Sequence, residues 1–310
     1  MMNEENLVKK YSVRTDLACD KGFNKKICEE KTVESSGIII NKYKEENGNE
    51  VNYYYNLDTR AIKTHDTDDL NNCINVLSNV IKELKEKMNI KDNGKCLVVG
   101  LGNINVTPDS LGPLVCDNVI VTRHMFVTDG YVSEGINEVS AIAPGVMGTT
   151  GIETYDIIEA VLKKIDIDFI IVVDALASRS INRVNKTIQV TNAGISPGSG
   201  VGNKRKELSY KTIKKPVIAI GVATVVDAVT IANDAIDLII NYFDKLKIDK
   251  NVFGDIFKLS DIDKRSLIDE VLTESGFNMI LTSKEIDLEI NDLTHIISGA
   301  IDKALHPLVN

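Results

Sequence analysis

Four short apolar runs, at 96–99 (CLVV), 169–173 (FIIVV), 187–190 (TIQV) and 217–220 (VIAI), constrain the fold more than any other feature. Each has strand length, and none alternates apolar with charged residues as a half-solvated strand does. Such runs are buried on both faces, which requires helices above and below a parallel or mixed sheet. Helical patterns fill the gaps, at residues 111–122, 153–164 and 227–245. Thr150 and Glu153 have the spacing of a capping box and predict where the middle helix starts. The pattern predicts an α/β fold with a central, mostly parallel or mixed sheet flanked by helices.

The front of the chain has another texture. Residues 37–40 (GIII) and 51–55 (VNYYY) are strand-like and are separated by the turn signal Asn47-Gly48-Asn49, so a β-hairpin is expected. Leu70, Ile74, Leu77, Ile81 and Leu84 recur at three and four, the apolar face of a helix over 66–88. The expected organisation is a hairpin-and-helix region at 17–93, a central α/β catalytic domain at 94–250 and a helical region at 251–310. The last region reads as two helices around Gly276-Phe277, the second amphipathic through Ile286, Ile290, Leu293, Ile297 and Ile301.

Charge and cysteine content narrow the function. With 36 Lys and Arg against 45 Asp and Glu, the net charge is −9, which argues against nucleic acid as the direct partner. No apolar run approaches the roughly 20 residues of a membrane span, and residues 1–16 lack the apolar stretch of a secretory signal, so a cytoplasmic protein is expected. The five cysteines, Cys19, Cys28, Cys73, Cys96 and Cys116, show no metal or redox spacing and are expected to be packed free thiols.

Two acids stand where α/β sheets place chemistry. The first apolar run opens into Gly100-Leu101-Gly102-Asn103, but position 105 is Asn105, so the dinucleotide fingerprint fails. What remains is a glycine turn that carries Asp109 to the start of a helix. Asp174 directly follows the run 169–173 and is expected at a strand tip. If the sheet brings these acids together, one carboxyl is held protonated and the other ionised, the division that amide hydrolysis requires. Gly194 to Gly198 matches a serine nucleophile elbow, but residue 197 is proline and offers no N–H to an oxyanion hole. The loop from Gly194 to Lys206 reads either as a basic flap able to meet an acidic substrate or as a surface loop of no special role. With four histidines and no HExxH, the helical zinc-protease site is excluded.

Several longer stretches carry a family likeness. They are Leu97-Val98-Val99-Gly100-Leu101-Gly102-Asn103 with Val106-Thr107-Pro108-Asp109-Ser110-Leu111-Gly112-Pro113; Ser140-Ala141-Ile142-Ala143-Pro144-Gly145; Asp174-Ala175-Leu176-Ala177-Ser178-Arg179-Ser180; and Pro197-Gly198-Ser199-Gly200-Val201-Gly202-Asn203-Lys204-Arg205-Lys206. In this order they resemble the germination proteases of spore-forming Firmicutes. The likeness continues into residues 216–228 and 304–307 and, at the front, into 11–18.

The resemblance implies a phosphorylase/hydrolase-like fold similar to that of the hydrogenase maturation proteases. It implies an endopeptidase that degrades small acid-soluble spore proteins in the spore core, made as an inactive precursor that assembles as a homotetramer. The processed bond then falls between Asp16 and Leu17, making 1–16 a propeptide. The proposed catalytic carboxylates of the family fall on Asp109 and Asp174, the two acids already singled out, with Gly102, Asn103, His124, Lys204 and Arg205 as candidate supporting residues. No cofactor is expected; a metal held by the same two carboxylates is the alternative mechanism.

Overall fold

The computed structural model describes residues 28–34, 36–48, 50–58, 64–128, 132–196, 205–246 and 259–308. The expected bond between Asp16 and Leu17, the Cys19 thiol and the flap residues 197–204, Lys204 among them, lie outside these residues.

Strands β1 (Cys28–Val33), β2 (Ile39–Asn47) and β3 (Glu50–Asp58) precede helix α1 (Thr67–Lys87). Strand β4 (Cys96–Gly100) leads through a 3-10 turn (Thr107–Asp109) into α2 (Leu111–Asn118) and α3 (Arg123–Thr128). Then come β5 (Val139–Ile142), the single turn α4 (Met147–Thr150), α5 (Thr154–Lys164), β6 (Phe169–Ser178), a second 3-10 turn (Ile181–Arg183) and β7 (Thr187–Thr191). The chain closes with α6 (Tyr210–Ile213), β8 (Val217–Asp227), α7 (Ala228–Leu246), α8 (Asp261–Glu274), β9 (Ile280–Leu281) and α9 (Ile286–Leu305).

These strands form one mixed sheet in the order β1-β2-β3-β7-β8-β6-β4-β5, with β9 added to the end of β8. The half made of β8, β6, β4 and β5 is parallel, and β7, β3, β2 and β1 extend it with antiparallel pairs. The α/β expectation therefore holds, and the front hairpin continues the central sheet. Strand alternation sorts the apolar runs into two layers. Val98, Ile171, Val173, Ile218 and Ile220 face α1, α2 and α9. Leu97, Val99, Ile170, Val172 and Val217 face the opposite way, toward Tyr155 and Ile158 of α5. Each fully buried leucine or isoleucine in these layers contributes about 1.5–3 kcal/mol relative to exposure.

Helix α1 shows how the sequence sets an element. Asp66 caps it by accepting the N–H groups of Asp68 and Asp69, and Lys85 and Lys87 sit in the last turn, where the helix dipole favours cations. Leu70, Leu77, Ile81 and Leu84 are its buried stripe.

The structure corrects four local expectations. Thr150 ends the α4 turn, the left-handed Gly151 breaks the chain there, and α5 is capped by Glu153 without a side-chain bond, so the Thr150–Glu153 capping box does not form. The helix expected over 111–122 stops at Asn118, and a separate α3 starts at Arg123. Strands β1 and β5 form outside the expected strand runs. Strand β6 runs on to Ser178, so Asp174 lies within the strand and not at its tip. Among the described residues Cys73, Cys96 and Cys116 are buried thiols outside any disulfide, and no helix is long and apolar enough to cross a membrane.

Candidate active site

Asp109 is positioned by close backbone approach. An ideal Cβ on Gly100 would lie 2.1 Å from the Gly112 carbonyl oxygen, and one on Gly112 would lie 2.2 Å from the Leu101 carbonyl oxygen and 2.7 Å from that of Val173. Only glycine at both positions lets α2 seat its first turn on the ends of β4 and β6. Gly102, at φ +120°, turns the chain back so that the Asn103 N–H reaches both the Asp109 carbonyl, at 3.1 Å, and its carboxylate Oδ2, at 2.8 Å. The 3-10 turn that carries Asp109 rests against β6, β8 and α9. Gly112 escaped the sequence reading as a site residue; its signal was a third glycine one turn after Asp109.

Asp174 is set by register. Gly100, the last residue of β4, pairs with Val173, and the Leu101 N–H donates to the Val173 carbonyl at 2.8 Å. Asp174 is the next residue, paired on its other side with Gly221 of β8, and it is only 5% exposed. Leu176 leans over Gly221, where an ideal Cβ would lie 2.2 Å from its Cδ1. Asp109 and Asp174 therefore occupy the same end of the parallel strands.

Burial pushes the half-buried Asp109 carboxyl above the ordinary carboxylate range, against the lowering influence of the Asn103 N–H and the Arg205 charge. Arg205 thus stands within electrostatic reach of Asp109. In the chain it lies between Ile195 and Leu208, whose backbones pair at 3.0 and 2.8 Å. The structure does not bring His124 to the carboxylates. Its helix follows Thr122, which bonds to Val139 at the opposite, N-terminal end of β5, and the His124 ring is exposed there. Cys116 is no nucleophile candidate: it packs under Gly100 with its thiol pushed up to about 12 by burial.

Two carboxylates are a thin donor set for a catalytic zinc, which takes three protein ligands. No group of three or more His, Cys, Asp and Glu placed to hold a metal occurs among the described residues.

Comparison with known proteins adds an independent line. A family model described as germination protease matches residues 2–251 and 246–310. The germination protease of Priestia megaterium (strain ATCC 12872 / QMB1551) is 42% identical over a match covering 98% of this chain and 96% of that protein. The germination protease of Bacillus thuringiensis subsp. konkukian matches at 42% over the same shares, and that of Bacillus mycoides at 41%.

Proposed function

The chain belongs to the germination protease family and is a peptidase of spore germination, and from that premise we propose that Asp109 and Asp174 are its catalytic carboxylates. The observation that carries this reading is their common position at the C-terminal end of the parallel strands, one on the turn after β4 and one at the first residue of β6 beyond β4. Asp174 acts as general base on a water molecule. Asp109, whose carboxyl burial holds toward the neutral form, acts as general acid. The water oxygen adds to the scissile carbonyl carbon as its proton passes to Asp174. The carbon–nitrogen bond then breaks as the Asp109 proton passes to the leaving amine.

The substrates in this reading are the small acid-soluble proteins of the spore core, cut by a homotetramer without direct nucleic-acid contact and without a cofactor. The protein is made as a precursor that removes residues 1–16 by cutting between Asp16 and Leu17. Falling pH favours the step, because one carboxyl must be protonated.

Intact mass and N-terminal sequencing of purified protein held at mildly acidic pH test this directly. Loss of residues 1–16 in the wild type, with none in Asp109→Asn or Asp174→Asn, is the expected result. Processing that survives both substitutions would refute the assignment, as would full activity of the unprocessed chain at neutral pH.

A further inference from the structure

Strand β4 stops opposite Val173, whereas β6 and β8 stay paired as far as Ser178 and Val226. Among the described residues no strand pairs with β6 on that side past Val173. Main-chain groups alternate along that edge: the Ile170 N–H donates toward the β8 side, to Pro216, and the Val173 carbonyl accepts from Leu101 on the β4 side. Ala175 is therefore the next residue whose N–H and C=O both point to the open side. Neither has a main-chain partner there among the described residues, and Ala175 is the one residue of β6 that is not buried.

The two acids flank this edge from different faces. Helix α2, with Asp109 just before it, packs by Leu111, Val115 and Cys116 on the face of Ile171 and Val173. Asp174 alternates with Val172 and Ile170, which belong to the other layer. Exposed apolar side chains lie at this same end of the strands, Ile104, Val106 and Ile152 on loops and Met147 at the start of the α4 turn.

We infer that the polypeptide to be cut binds by strand addition at Ala175: an extended segment takes up the line that β4 abandons and exchanges two main-chain hydrogen bonds with Ala175. The inference rests on the carboxylate assignment above. Strands pair about 4.8 Å apart with their peptide planes close to the plane of the sheet, so a peptide bond held there turns one face to each layer. Water activated by Asp174 then approaches the carbonyl carbon from one side, and Asp109 delivers its proton to nitrogen from the other. The ligand class is an extended, unfolded segment whose alternate side chains meet the apolar rim. A folded loop that cannot straighten is excluded.

The test uses the processed protein and a short synthetic peptide from a small acid-soluble spore protein, cut by the wild type at one bond. Each peptide N–H is methylated in turn, and kcat/KM is measured with the wild type and with Ala175→Pro, in which the open-side N–H is removed. An edge-facing proline is compatible with a strand. A loss of about tenfold or more at the one peptide N–H that donates to the Ala175 carbonyl is expected in the wild type, and Ala175→Pro, which loses the N–H but keeps that carbonyl, is expected to lower kcat/KM on the unmethylated peptide by a similar factor. A flat methylation profile overturns the inference, as does Ala175→Pro with wild-type kcat/KM. If Ala175→Pro fails to fold, the profile alone decides. Hydrolysis that persists in Asp174→Asn sinks the carboxylate assignment instead, whatever the methylation profile shows.

Discussion

A methyl group on Gly102 would lie 2.0 Å from the carbonyl oxygen of Asp109. The turn before α2 closes on itself with no room for a side chain, and φ +120° at Gly102 is a conformation that other residues rarely adopt. Gly102→Ala should therefore shift Asp109 and lower kcat at least as much as stability. A stability loss of about 1–3 kcal/mol is expected from the strained backbone, read by thermal unfolding beside a hydrolysis assay. Unchanged kcat in a folded variant would separate the turn from the chemistry.

Arg205 lowers the Asp109 carboxyl, opposing burial. Replacing it by Gln should let that carboxyl rise further, so the pH–rate limb that reports loss of the acid's proton moves to higher pH. The measurement is kcat against pH for the wild type and Arg205→Gln; coincident limbs would remove Arg205 from the site.

Asn185 sits at φ +55° with its Nδ2 donating to Glu289 Oε2 at 2.6 Å and its N–H to the Ala223 carbonyl at 2.7 Å, and both side chains are buried. Asn185→Ala leaves the Glu289 carboxyl without this donor and puts a side chain intolerant of positive φ into the turn. A loss of about 2–4 kcal/mol follows from the two effects together. Asn185→Gly keeps the backbone relaxed and should lose less, and the difference in urea midpoint reads the backbone share.

Burial raises the Asp302 carboxyl to about 6, although it accepts the Ile120 N–H at 2.9 Å. The folded state therefore binds a proton more tightly than the unfolded state between about pH 4 and 6. Stability from this group is present below that window and is lost as pH rises through it. The melting temperature of the wild type relative to Asp302→Asn should rise on acidification from pH 7 to pH 4; a constant difference would count against the shift.

His306 has the opposite sign. Its ring is buried with Nδ1 facing the Asn137 N–H at 3.3 Å and Nε2 facing the Ile120 carbonyl at 3.2 Å, so the proton belongs on Nε2 and a second proton would meet a donor. Burial lowers its pKa. Its contribution is present above the ordinary histidine value, about 6.5, and is lost as pH falls below it. His306→Gln, neutral throughout, should remove that acid-side loss, as followed by amide exchange at the end of α9 from pH 7 to 5.

What was legible in the sequence follows from how much burial each segment carries. The runs at 96–99, 169–173, 187–190 and 217–220 are apolar because both faces are covered, so they announced themselves. Strand β5 is a four-residue edge interrupted by Ser140, and β1 is an edge strand whose sequence runs through Glu29, Glu30 and Lys31, so neither writes a continuous apolar signature. The extension of β6 was hidden because it begins at a carboxylate, Asp174, which reads as a terminus although Gly221 beside it continues the ladder. Asp109 and Asp174 could be named from their place after apolar runs, whereas Gly112 and Ala175 matter only through register and close approach. His124 is near Cys116 in sequence yet at the other end of the strands, a distance that spacing along a helix cannot reveal.

The joint between the two halves of the sheet sets a timetable for synthesis. Strand β3 reaches the parallel half only by pairing with β7, Tyr54 opposite Thr191, and β7 in turn needs β8. Strands β1–β3 thus have no neighbouring strand in the parallel half until residues well past the middle of the chain have emerged, and such long-range pairing forms late. A nascent chain halted before β8 would carry β1–β3 as a stranded hairpin sheet with an open edge, so the front of this protein is the part most exposed to misassembly while it is being made.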